Sequence, residues 1–74
     1  MHIDIKCFAT LSRFTPAGGS MDVPPGTTMA DVMQTLGVPV EEVKIMFING
    51  THVAPEAQLN EGDRVGLFPA VGGG

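Results

Sequence analysis

Tryptophan and tyrosine are missing from the 74-residue sequence, and cysteine occurs once, at position 7. A single cysteine forms no internal disulfide, and with His2 and His52 it supplies too few thiolates and imidazoles for a tetrahedral zinc site. Disulfide scaffolds, zinc folds and cysteine-ligated clusters are excluded. Positive charge is scarce as well. Lys6, Arg13, Lys44 and Arg64 face eight acidic residues, for a formal charge of −4 and an isoelectric point near 4.7. Phosphate backbones call for clustered cations, so nucleic acid is a poor partner, whereas the net charge favours a basic groove on another protein. Long apolar runs are also lacking, the longest being Ile45 to Ile48, and the opening Met-His-Ile-Asp is unlike a secretory leader. Neither a signal peptide nor a membrane span is expected, which suits a reducing cytoplasm. A chain this short buries only about 60% of its unfolded surface, which disfavours a deep catalytic cleft.

What is present is a series of short elements punctuated by glycine and proline, without repeats or charge blocks. Residues 2 to 8 alternate, with Ile3, Ile5 and Cys7 on one face and Asp4, Lys6 and Phe8 on the other, as in a half-buried strand. Turn chemistry at Pro16, Gly18 and Gly19 leads to Met21 and Val23, completing an opening hairpin before Pro24-Pro25-Gly26. Thr28 can cap a helix in which Asp31 occupies the first turn and Met29, Val32, Met33 and Leu36 form one buried stripe, closed by Gly37 and Pro39. The methionines read as core, since thioethers fill such a stripe without polar partners.

Val43 to Ile48 is apolar in both strand phases, and Asn49-Gly50 predicts a hairpin into Thr51-His52-Val53. After a turn around Leu59 to Asp63, Val65 and Leu67 alternate with Arg64, Gly66 and Phe68 until Pro69, which marks a fifth strand. Hairpin, helix and three further strands make an α+β layout, for which a β-grasp with a mixed five-stranded sheet and one main helix on one face is the simplest arrangement. That helix leaves the other sheet face open, yet the sequence does not turn polar there. Either Ile45 and Phe47 or Met46 and Ile48 must look outward, together with Phe8 and Phe68. An exposed apolar patch, and hence a protein interface, is expected.

The globular domain is read as residues 1–69 and the remainder, 70–74, as a flexible tail ending Gly72-Gly73-Gly74. Five residues beyond Pro69 span at most about 16–18 Å, enough to carry a carboxylate into another protein's active site. Glycine lets such a backbone thread a narrow channel.

With this element order, Phe68-Pro69-Ala70-Val71-Gly72-Gly73-Gly74 resembles the carboxyl end of the ubiquitin-like sulfur carriers of the MoaD/ThiS family. Ile3 to Ala9 is similar to the first strand of the small subunit of molybdopterin synthase, Phe47-Ile48-Asn49-Gly50 to the family's Val-Asn-Gly hairpin, and Glu61-Gly62-Asp63-Arg64-Val65 to its Asp-Gly-Asp-Xaa-Val turn. The resemblance implies a carrier rather than an enzyme: a partner adenylating enzyme activates the Gly74 carboxylate with ATP, a sulfurtransferase route converts it to a thiocarboxylate, and a larger synthase subunit receives the sulfur. No cofactor or metal is bound by the chain itself. Gly73 threads the tail, and Phe8, Phe47, Phe68, Pro69, Val71 and Gly72 contact partners. Phe68-Pro69-Ala70-Val71 resembles Phe-Pro-Pro-Val of molybdopterin synthase small subunits, with Ala70 departing, which favours the molybdopterin route; the triple glycine is also similar to carriers for thiamin thiazole synthesis. A monomer alone and a heterotetramer with the synthase are implied. The alternatives are a ubiquitin-like modifier joined to a lysine and a non-reactive interaction module. Cys7 reads as a buried, inert thiol, and His2 and His52 as solvent-facing residues without an adjacent acid.

Overall fold

The computed structural model describes residues 1–70. Five strands, β1 (His2–Cys7), β2 (Ser20–Asp22), β3 (Val43–Ile48), β4 (Thr51–Val53) and β5 (Arg64–Pro69), form one sheet in the order β2-β1-β5-β3-β4. The first and last strands pair in parallel at its centre, and every other pairing is antiparallel. The sheet is therefore mixed, as expected. Helix α1 (Met29–Leu36) supplies Met29, Val32 and Met33 to the core that Ile3, Ile5, Cys7, Met46, Val65 and Leu67 supply from the strands.

The local signals act as their chemistry suggests. Thr28 and Asp31 form a reciprocal capping box, with the Asp31 N–H donating to Thr28 Oγ1 at 3.2 Å and the Thr28 N–H donating to Asp31 Oδ2 at 3.0 Å. Two further N-terminal amides of the helix, those of Met29 and Ala30, donate to the carbonyls of Ala57 and Pro55 at 2.8 and 2.9 Å. The loop before β5 thus satisfies the open end of the helix and holds it against the sheet. Gly37 takes the left-handed conformation, φ 78°, that ends the helix.

Three details differ from expectation. The connection from β1 to β2 is not a tight turn: 3₁₀ segments Ala9–Phe14 and Ala17–Gly19 fill it, and Leu11 plugs the core from the first of them. The first strand ends at Cys7, so Phe8 lies just beyond it, with Ala9 in the left-handed region at φ 52°. The third difference resolves the ambiguous phase of β3. Val43 faces Pro69 while Ile45 faces Phe68, so Lys44 is an extra residue in the ladder. This bulge turns Val43 toward the core with Met46 and Ile48 and leaves Ile45 and Phe47 on the open face.

Candidate functional site

The open face gathers three phenylalanines from distant parts of the sequence. Phe8 follows β1, and its N–H donates to Leu67 O at 3.0 Å, which holds it beside β5 before the chain turns away at Ala9. Its ring stacks on Phe68 with centroids 4.1 Å apart and planes within 5°, and Phe47 meets Phe68 edge-on at 5.5 Å and 85°. The edge-on pair suits the ring quadrupole. The rings half-bury one another, so the patch is less exposed than expected; among the described residues Val40, at 52%, is the one exposed large hydrophobe.

Gly66 forms the floor between them. It pairs with Lys6 of β1 and Phe47 of β3, and a Cβ at this position would meet Phe8, Phe47 and Phe68 at 3.6–3.8 Å. The result is an open apolar depression of about 730 Å³, bounded by Phe8, Phe47, Phe68, Gly66, Lys6 and Arg64. Lys6 Nζ lies 5.3 Å from the Phe8 ring centroid, within cation–π range. Gly66, Lys6 and Arg64 were not picked out by sequence reasoning as site residues, although their outward phase is legible in the alternation of β1 and β5.

A polar clasp sets the register of this face. Asn49, at φ 53° in the β3–β4 turn, accepts the Arg64 N–H at 2.9 Å through its side-chain oxygen and donates from Nδ2 to Asp63 Oδ1 at 2.9 Å. Asp63 is buried, and its other oxygen accepts the Asn60 N–H at 2.8 Å. The hairpin motif and the turn motif are therefore one unit, which locks Phe47 beside Gly66 and Phe68. Pro69 closes β5 opposite Val43, and the Ala70 N–H donates to Glu42 O at 3.2 Å. Val71, Gly72, Gly73 and Gly74, named above as tail residues, lie outside the described residues.

Elsewhere, Cys7 is buried and its thiol is pushed up by desolvation, an effect that its hydrogen bond with Thr15 opposes. His2, expected to lack a neighbouring acid, has two: Nδ1 stands 3.2 Å from Asp22 Oδ1 and Nε2 3.9 Å from Asp4 Oδ1. Antiparallel pairing of β1 with β2 brings Asp22 beside His2, which sequence spacing does not reveal, whereas Asp4 lies two residues along the same face of β1. The cluster is exposed at the sheet edge. Among the described residues, no group of three or more His, Cys, Asp or Glu could hold a metal, and no helix is long and apolar enough to cross a membrane.

Comparison with known proteins bears on this arrangement. No curated protein matches the sequence. Among solved structures, SAMP1 from Haloferax volcanii is 23% identical over 100% of both chains with a TM-score of 0.76. A putative molybdopterin converting factor subunit 1 from Pyrococcus furiosus is 24% identical over 96% of this chain and 99% of its own, with a TM-score of 0.75. A second structure of the Haloferax volcanii small archaeal modifier protein 1 is 25% identical over 95% and 98%, with a TM-score of 0.74. These likenesses establish the ubiquitin-like β-grasp fold. The family model described as the ThiS family matches residues 5–74, all but the first four, and the chain accordingly belongs to the ThiS family of ubiquitin-like, MoaD/ThiS-type sulfur carriers.

Proposed function

We propose that this protein carries sulfur as a thiocarboxylate on Gly74 and that the aromatic face docks it on the enzyme that activates it. The observation that carries the reading is the position of the face: Phe68 lies on β5, the strand that leads directly into the glycine-rich terminus. Docking and reaction are thereby assigned to successive stretches of the sequence. A carboxylate is a poor acyl electrophile. Attack of its oxygen on the α-phosphorus of ATP expels pyrophosphate and leaves an acyl adenylate; the terminal sulfur of a sulfurtransferase persulfide displaces AMP to give an acyl disulfide, and a thiol reductant cleaves that S–S bond to release the thiocarboxylate. ATP chemistry resides in the partner, and the carrier contributes a threadable backbone and a docking surface.

The acceptor we favour is the molybdopterin route, through a larger synthase subunit in a heterotetramer; Phe68-Pro69-Ala70-Val71 and the likeness to the converting factor subunit support it. A thiamin thiazole route would use the same thiocarboxylate. The likeness to the Haloferax volcanii small archaeal modifier protein 1 supports a second reading, in which the adenylate is passed to a lysine of another protein. One experiment separates them. The purified chain is incubated with its cognate adenylating enzyme, ATP and a sulfur source, and intact masses are recorded. A gain equal to one oxygen-for-sulfur exchange on the free chain is expected. A covalent adduct on a second protein as the sole product would favour the modifier, and no ATP-dependent change would overturn both readings. Appending one alanine after Gly74 should abolish activation.

A further inference from the structure

The net charge of −4 suggests a basic partner, but charge is not evenly spread over the fold. Lys6 and Arg64 against Asp4 leave the lining of the aromatic depression at +1, so the remainder of the chain carries −5. None of Lys6, Arg13, Lys44 and Arg64 makes an ion pair with a carboxylate of the described residues, although acids outnumber cations two to one. Two exposed cations thus flank an apolar socket whose floor, Gly66, has no side chain.

We propose that the docking surface of the activating enzyme is locally acidic: it places one apolar side chain in the socket above Gly66, between Phe47 and the stacked pair Phe8–Phe68, and carboxylates against Lys6 and Arg64. This rests on the reading of the open face as the docking site and specifies its partner's chemistry, reversing the expectation from net charge. The glycine matters because any larger residue in β5 at this point would occupy the space the partner fills. The cations matter because complementary charge at an interface rim speeds encounter and selects the partner.

The test measures binding of the intact chain to its cognate adenylating enzyme by titration calorimetry at two salt concentrations, with circular dichroism as a fold check. The double variant Lys6→Glu, Arg64→Glu should bind about 10-fold more weakly at about 0.1 M salt, and the deficit should largely vanish at about 1 M, where the Debye length falls to about 3 Å. Gly66→Leu should bind about 10-fold or more weakly at both concentrations. Should that variant misfold, Gly66→Ala, whose Cβ meets only ordinary contacts of 3.6–3.8 Å, should still cost about 3-fold. Unchanged or tighter binding after charge reversal, or unchanged binding after filling the socket, overturns the inference. Phe68→Ala identifies which idea has failed. If it weakens binding while the charge and socket variants do not, the docking face stands and its acidic, knob-bearing partner does not. If neither it nor any other change on the face matters, or the unaltered chain does not bind, the proposed docking role falls and this inference with it.

Discussion

Replacing Phe68 by alanine removes the ring on which both others lean. In the free protein it ends a stacked pair at 4.1 Å and an edge-on pair at 5.5 Å. Such pairs contribute about 0.5–1.5 kcal/mol each when buried, and these rings are only half-buried, so a loss of about 1–2 kcal/mol of fold stability is expected. For a domain of this size each kcal/mol lowers Tm by about 4–8 °C, which thermal unfolding resolves while leaving the chain folded at assay temperature. The larger effect is on docking. An aromatic anchor at the centre of an interface commonly costs about 2 kcal/mol when truncated, equivalent to about 30-fold in affinity. In an ATP–pyrophosphate exchange assay with the cognate adenylating enzyme, KM for the carrier should rise by about 30-fold, within a range of about 10 to 100. Turnover at saturation should stay close to normal, because the carboxylate proposed to react, that of Gly74, is not altered. Phe68→Leu, which keeps much of the apolar area, should fall between. A variant that lost turnover with KM unchanged would place Phe68 in the reaction step and refute the separation of docking from chemistry.

Deleting Gly74 should have the opposite effect: the face still docks, the new carboxylate ends about 3.5 Å short, and the protein competitively inhibits the intact carrier in the same assay; normal activation of the shortened chain would refute the carrier reading. Cys7→Ala should retain thiocarboxylate formation by intact-mass measurement. Burial pushes the native thiol up, so alkylation at neutral pH should be slow in the folded protein and fast in denaturant; rapid native alkylation would contradict the inert assignment. Because the folded thiol holds its proton to higher pH than the unfolded one, stability should be insensitive to this group near neutrality and decline only at alkaline pH. Asp63→Ala should cost about 2–3 kcal/mol in denaturant unfolding, since it strips acceptors from Asn60 N–H and Asn49 Nδ2; a change under about 0.5 kcal/mol would mean that the clasp does not hold the register.

What the sequence determined by itself was local. Alternation over Ile3, Ile5 and Cys7 put those side chains in the core, Thr28 with Asp31 marked the start of the helix, and Asn49-Gly50 marked the hairpin, because each signal depends on dihedral preferences and side-chain period within a few residues. The outward phase of Phe68 was legible for the same reason. The phase of β3 was not. Its six residues Val43–Ile48 satisfy either face, and the register against β5 that chooses between them, like the bulge at Lys44 that turns Val43 inward, is a contact made across the sheet. The parallel pairing of β1 with β5 likewise joins residues sixty apart, with Lys6 opposite Gly66. From that pairing come the stack of Phe8 on Phe68, the socket over Gly66 and the cationic rim of an acidic protein. Long-range register is set by how the whole hydrophobic set is buried at once, so only the tertiary structure could decide that three phenylalanines, one glycine and two cations form a single surface.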